Sequence, residues 1–334
     1  MSQVKQQEKA VQGMLAALFA PIQSELAEVS RRLEAELRHA DPWIDELAQH
    51  SFRMGGKRLR PALLLLSAQA IGQINDAHRT LAAVVEMIHT ATLVHDDVLD
   101  DASMRRHEAT INARWDTQTS VLLGDYLFTH AFYLASTLET TFGCRTIGRA
   151  TNTVCEGELR QTASRGNFSL SLEEYFDIID AKTASLCACC CQLGGHYADG
   201  TQPQVQQLES FGRNLGMAFQ ISDDLLDLEG EEQSTGKSLG TDLANYKLTL
   251  PLILLRDQLD LQEQSRLREL IEDPSPNHSP HLLDWLDRTG ALHRTRQTAS
   301  EYAQQAADNL EILPRSPAKQ VLQELTRFVV ARDS

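Results

Sequence analysis

Apolar positions recur with helical spacing along almost the whole chain. From Met14 onward, Leu15, Leu18, Phe19, Ile22, Leu26, Val29 and Leu33 follow the i, i+3/i+4 stripe of an amphipathic helix. The segments Leu81–Val98, Val121–Leu138 and Phe211–Leu228 are more nearly apolar all round, which predicts helices at the centre of a bundle. No stretch alternates cleanly with period two, so no sheet is predicted. Breaks are expected at Gly55-Gly56, at Gly143 and Gly166-Asn167 as helix ends, and at a polar turn flanked by Gly194-Gly195 and Gly200. Glu229–Tyr246 reads as a long polar loop with Gly230, Gly236 and Gly240, and Asp273–Pro280 as a proline-rich connector. The expectation is an all-α fold, a single domain over residues 1–334 with further helices after residue 281. Roughly ten or more helices are expected.

Composition narrows the class. The 334 residues carry a net charge of −15, which counts against a nucleic-acid partner. With 42% hydrophobic and 23% charged residues, the chain reads as ordinary and globular. Four of the six cysteines crowd into Cys187, Cys189, Cys190 and Cys191 without a CxxC pair. On a helix they point in different directions, so they read as buried, reduced packing residues, and a cytoplasmic setting is expected. No apolar run reaches the ~20 residues of a transmembrane segment, and the polar start Met1–Gln12 lacks a signal-peptide layout.

The strongest chemical signal is a repeated acidic pattern. Asp96-Asp97-Val98-Leu99-Asp100 and Asp223-Asp224-Leu225-Leu226-Asp227 both carry carboxylates at i, i+1 and i+4. At about 100° per residue, the first and last lie roughly 40° apart on a helix surface. Both triplets end strongly apolar helices, so their carboxylates fall at the rim of the core. Such crowded anions need counter-cations. Hard carboxylate oxygens suit Mg²⁺, which is usually shared with substrate phosphates. Two facing clusters can therefore hold a diphosphate through bridging metal ions.

Basic partners are present. Gly55-Gly56 precede Lys57, Arg58 and Arg60, and Arg105-Arg106 follow the first acidic cluster. Lys182, Lys237 and Lys247 stand in otherwise acidic or neutral segments. Arginine forks and lysine point charges are the usual phosphate binders.

On these residues the sequence resembles the trans-polyprenyl diphosphate synthase family, whose members share the isoprenoid synthase fold, and within it the medium- and long-chain, octaprenyl-type enzymes. The matching stretches are GGKRLRPALLLL, EMIHTATLVHDDVLDDASMRR, VLLGDYLFTHAF, EGELRQ, YFDIIDAKTASL, GRNLGMAFQISDDLLDLEG, GKSLGTDL and KLTLPLI, in family order over residues 55–253. The resemblance implies an all-helical core around a deep cavity. It implies that Asp96, Asp100 and Asp223 hold Mg²⁺, about three ions once diphosphate is bound, with Asp97, Asp224 and Asp227 supporting them. Lys57, Arg60, His89 and Arg106 match positions that bind isopentenyl diphosphate. Arg105, Lys182, Thr183, Gln220, Lys237 and Lys247 match positions that contact the allylic diphosphate. A homodimer is the family's usual state.

Product length is expected to follow the depth of an apolar tunnel below the first acidic motif. Ala91 and Thr92, five and four residues before Asp96, are small where bulky aromatics give short products in the family. The expected product is therefore longer than farnesyl, octaprenyl-like in preference to geranylgeranyl. Phe132, with Phe128 and Tyr133, is a candidate floor. One departure stands out: His107 follows Arg106 where the family usually has Gly. Two rival readings are a terpene cyclase, which usually replaces the second acidic triplet, and a non-catalytic regulatory subunit, which commonly loses one or both. This chain keeps both.

Overall fold

The computed structural model describes residues 13–53, 56, 58–106, 108–229, 245–272 and 279–331. The apolar stripes have become helices: α1 (Gln23–Glu36), α2 (Pro42–Arg53), α3 (Leu59–Ile71) and α4 (Asp76–Leu99). A two-stranded ribbon, β1 (Met104–Arg105) and β2 (Glu108–Ala109), leads into α5 (Ile111–Arg114), α6 (Thr117–Ser136), α7 (Phe142–Ser164) and α8 (Leu172–Ile179). A π-helical turn, Asp180–Ala184, connects α8 to α9 (Ser185–Tyr197), and α10 (Gln202–Glu229) follows. The chain closes with α11 (Leu250–Arg256), α12 (Leu261–Glu272), α13 (Ser279–Arg288), α14 (Ala291–Asn309) and α15 (Pro317–Ala331).

Local chemistry marks the starts of several of these helices. Asn75 caps α4 in a reciprocal box with His78, and Ser171 caps α8 with Glu174. The Asp116 side chain accepts from the Thr119 N–H to open α6. α4 is buried on nearly every face, with Leu81, Val84, Val85, Met87 and Ile88 inaccessible to solvent. It packs on α6, α3 and α1. α9 lies between α3 and α10, and α10 in turn packs on α14.

Four sequence expectations are corrected. The stripe from Met14 to Leu33 is not one helix: Pro21 falls in a short 3-10 turn, Ala20–Ile22, that separates residues 13–18 from α1. Gly143 opens α7 and does not end a helix; its N–H donates to the Tyr197 hydroxyl (3.1 Å). Gly194-Gly195 lie inside α9, because a Cβ on Gly194 would sit 2.3 Å from the Leu64 carbonyl of α3. Close helix packing, not a turn, requires that glycine. The strands Met104–Arg105 and Glu108–Ala109 are too short for any alternation to show.

The helix Val121–Leu138 also departs from expectation. Its all-round apolar character does not bury it: Val121, Leu122 and Tyr133 are exposed. The cysteines behave as expected, with all six thiols free and Cys187, Cys189, Cys190 and Cys191 buried. Burial pushes the Cys189 thiol up to about 12. No described helix is long and apolar enough to cross a membrane.

Candidate active site

The first acidic triplet sits where α4 runs out of apolar sequence. Asp96 is largely desolvated, and burial pushes its carboxyl up to about 6 despite the nearby Lys182 ammonium. Lys182 Nζ lies 3.9 Å from Asp96 and forms an ion pair with Glu158 of α7. Burial works against the charge on Lys182, but Asp96 and Glu158 outweigh it and raise its pKa. Asp97 is buried, and one of its oxygens accepts from Arg105 Nε and Nη2 at 2.8 Å. Burial raises the Asp97 carboxyl, with Arg105 opposing. Its other oxygen is buried without a hydrogen-bond partner. Asp100 caps the helix end and pairs with Arg165 (2.6 Å) and Lys247 (3.2 Å).

The second triplet lies on α10, with Asp224 buried and Asp223 and Asp227 half-buried. Asp224 accepts from the Tyr175 hydroxyl (2.5 Å) and from Gln220 Nε2 (2.9 Å). Thr183 Oγ1 donates to Gln220 Oε1 at 2.8 Å. Thr183 is the neighbour of Lys182, so adjacent residues of the π-turn reach the two acidic helices: Lys182 toward Asp96, Thr183 through Gln220 toward Asp224. Single-turn π-bulges are rare and recur at functional sites. This one is accommodated by Gly157 on α7, where a Cβ would come 2.7 Å from the Lys182 backbone nitrogen.

A basic wall completes the arrangement. Arg60 Nη1 donates to His89 Nε2 (3.0 Å), so that nitrogen is an acceptor. Burial, then Arg60, Arg106, Arg105 and Arg58, hold the His89 pKa well below its ordinary value, and the ring is neutral. Arg106 packs over Gly56, whose Cβ would lie 2.7 Å from the guanidinium. Arg58 forms an ion pair with buried Glu86 at 2.6 Å. Gly56, Glu86, His89, Thr90, Asp97 and Arg105 line one cleft. Of the residues singled out in the sequence, Gly55, Lys57, His107, Gly230, Gly236, Lys237 and Gly240 lie outside the described residues, as do most of the segments Glu229–Tyr246 and Asp273–Pro280.

The donor set fits a hard divalent cation. No group of three or more His, Cys, Asp or Glu side chains forms a ready-made metal cage among the described residues. Magnesium bound with substrate needs no such cage, since one or two carboxylates share each ion with phosphates and water. The anions here are held apart by lysine and arginine, and one Asp97 oxygen has no donor.

The sequence pattern of the family described as Polyprenyl synthetase matches residues 41–284. The chain belongs to the polyprenyl synthetase family. It is a prenyltransferase of that family, with the isoprenoid synthase fold. It is 36% identical over 310 residues to an octaprenyl diphosphate synthase of Escherichia coli (strain K12), covering 92% of this chain and 96% of that one. A decaprenyl diphosphate synthase from Rhodobacter capsulatus superposes with a TM-score of 0.91 at 35% identity, over 96% of this chain and 99% of the other. A polyprenyl synthase from Caulobacter crescentus CB15, complexed with calcium and isoprenyl diphosphate, gives a TM-score of 0.89 at 34% identity, over 96% and 98%.

Within this polyprenyl synthetase fold, the residues singled out for product length separate. Thr92 is half-buried, and its hydroxyl donates to the His89 carbonyl (2.8 Å). Ala91 is fully buried in a packed cluster with Leu37, Leu47, Val94, Ile111, Leu123 and Leu127. Phe132 is half-buried against the main core, Phe128 is half-buried between that core and the Ala91 cluster, and Tyr133 is exposed.

Sequence reasoning assigned no role to Glu158, Arg165 or Tyr175. Glu158 falls in EGELRQ and Tyr175 in YFDIIDAKTASL, two matched stretches, so a signal was present for both.

Proposed function

We propose that the chain condenses an allylic diphosphate of farnesyl or geranylgeranyl type with isopentenyl diphosphate to make a longer all-trans polyprenyl diphosphate, octaprenyl-like in length. The observation that carries this reading is the π-turn, whose Lys182 and Thr183 connect toward both acidic helix ends. Residues 1–334 act as a single domain in this reading.

Asp96, Asp100 and Asp223 would hold about three Mg²⁺ ions with the diphosphate, with Asp97, Asp224 and Asp227 behind them. The calcium in the Caulobacter relative supports a divalent cation. Bound magnesium would supply Lewis-acid neutralisation of the diphosphate. Lys182, Arg105 and Lys247 stabilise negative charge on the diphosphate as the allylic C–O bond breaks. Arg60, His89 and Arg106, with Lys57, orient isopentenyl diphosphate so that its double bond attacks the allylic carbon. The released diphosphate then takes a proton from the carbon beside the new cationic centre, and the C–H electron pair forms the new double bond. The apolar bodies of the surrounding helices exclude water, which would otherwise quench the cation as an alcohol.

The same reading makes the enzyme a homodimer. Val121, Leu122 and Tyr133 of α6 are exposed, as is Leu159 of α7, and these apolar side chains suit burial against a second copy.

Incubating the purified chain alone with farnesyl diphosphate, isopentenyl diphosphate and Mg²⁺ tests the proposal. Dephosphorylated products of about C40 support it. A cyclised hydrocarbon, or no product without a second subunit, overturns it.

A further inference from the structure

We propose that His50 is a positioning residue for the arginine-bearing ribbon, holding Arg105 and Arg106 in place for diphosphate. The inference rests on the reading of Arg105 as a diphosphate contact. His50 lies on α2, remote in sequence from the acidic motifs, and is 1% exposed. Its Nε2 lies 2.8 Å from the Ala109 carbonyl. Its Nδ1 faces two groups that can only donate, Arg114 Nη1 (3.0 Å) and Arg53 Nη2 (3.3 Å). Nδ1 therefore accepts, and Nε2 carries the proton that it gives to Ala109.

The ribbon needs that donor. Met104 pairs with Ala109 and Arg105 with Glu108. The Thr110 N–H donates to the Ser103 carbonyl at 3.1 Å. Bonded and non-bonded pairs alternate in an antiparallel ladder, so Met104 and Ala109 form a non-bonded pair. The Ala109 carbonyl then turns away from the partner strand, and this half-buried acceptor takes its donor from elsewhere. His50 supplies it. The opposite strand ends in Arg105, which binds Asp97, and Arg106 follows at φ 51°. The imidazole is itself held edge-on to Trp115 (ring centroids 5.3 Å), and Arg114 lies 4.5 Å over that indole. The His50–Ala109 bond thus ties the β2 side of a two-residue-per-strand ribbon to α2, while Arg105–Asp97 ties the β1 side to α4.

The test compares His50→Phe, which keeps a ring and loses both hydrogen bonds, with His50→Gln, which keeps a donor and an acceptor. Steady-state kinetics are read with inorganic pyrophosphate as competitor. His50→Phe is expected to raise KM for the allylic diphosphate and Ki for pyrophosphate about tenfold, leaving kcat within about threefold. His50→Gln is expected to recover most of that loss. The double variant His50→Phe/Arg105→Ala should lose clearly less pyrophosphate affinity than the sum of the two single losses, the remainder coming from Arg106. Unchanged KM in His50→Phe, or additive losses in the double variant, overturns the inference while leaving the diphosphate reading of Arg105 intact. If Arg105→Ala itself leaves Ki unchanged, that reading falls and this inference falls with it. If His50→Phe does not fold, His50→Asn, whose amide is too short to span both partners, is read by the same criteria.

Discussion

Lys182 Nζ lies 3.9 Å from the Asp96 carboxylate and is clamped on its other side by Glu158. The pair stands at the meeting of α4, α7 and the π-turn, and its energetics set function against stability. Burial raises the Asp96 carboxyl to about 6, above the ordinary 3.8, so the folded state holds its proton more tightly than the unfolded chain does. That contribution favours folding at low pH and is lost as pH rises through about 6. Asp96→Asn removes a carboxylate that is unfavourable to bury at neutral pH. The variant is expected to melt at or above the wild-type temperature near pH 7.5, while kcat falls by at least about 100-fold. Differential scanning fluorimetry beside a condensation assay checks both. Near-normal turnover would remove Asp96 from the proposed metal site.

Gly157 determines where the π-turn can lie. An added Cβ would come 2.7 Å from the Lys182 nitrogen and 2.8 Å from Ala181 Cβ, so backbone has to move. Overpacking of this kind costs about 1–3 kcal/mol. Gly157→Ala is expected to lower the melting temperature and, by displacing Lys182 and Thr183 together, to cut kcat/KM for the allylic substrate at least about tenfold. Loss of stability with unchanged kcat/KM would separate the turn from substrate binding.

His78 makes the start of α4 sensitive to acid. Its Nδ1 accepts from the Asn75 N–H (3.0 Å), leaving Nε2 to donate to the Gly194 carbonyl (3.1 Å). Burial lowers its pKa, and Arg79 lowers it further, against opposing effects of Gly194 and Asp199. A folded pKa below the unfolded 6.5 gives stability that is fully present above that pH and lost as pH falls beneath it. Between about pH 7.5 and 5, His78→Gln is expected to flatten the wild-type fall in melting temperature. Equal slopes in the two proteins would show that the cap does not titrate.

The legible parts of the site are those whose geometry is local. The i, i+4 spacing of Asp96 with Asp100 and the apolar bodies behind both acidic triplets follow from helix periodicity, and both triplets do end buried helices. Partners that arrive from far along the chain and outside the matched stretches leave no local trace: Arg165 reaches Asp100 and His50 reaches Ala109. The π-turn at Asp180–Ala184 is equally silent, since Ala181, Lys182, Thr183, Ala184 and Ser185 carry no large apolar stripe whose phase a shift could reveal. Glycine is ambiguous for a related reason. A residue without Cβ serves a turn at Gly166, at φ 73°, and a close helix contact at Gly194, and only the neighbouring chain distinguishes the two. The exposed apolar face of α6 shows the converse, because periodicity reports that a face is apolar but not what covers it.

Product length offers a test that separates packing from the proposed tunnel. Ala91 and Thr92 are adjacent, yet Ala91 is enclosed by Leu37, Ile111, Leu123 and Leu127, whereas Thr92 keeps partial exposure on the Asp96 stripe. Both Ala91→Phe and Thr92→Phe are expected to shorten the product, since each brings an aromatic ring below the first acidic motif. Their stabilities should differ. A phenylalanine at Ala91 overfills a closed cluster, for an expected loss of about 1–3 kcal/mol. One at Thr92 gives up only a local hydroxyl-to-carbonyl bond, for an expected loss of less than about 1 kcal/mol. Mass spectrometry of the dephosphorylated products, read beside thermal melts, checks each half. Unchanged product spectra in both variants would move the tunnel away from this face of α4, toward the main core against which Phe132 packs.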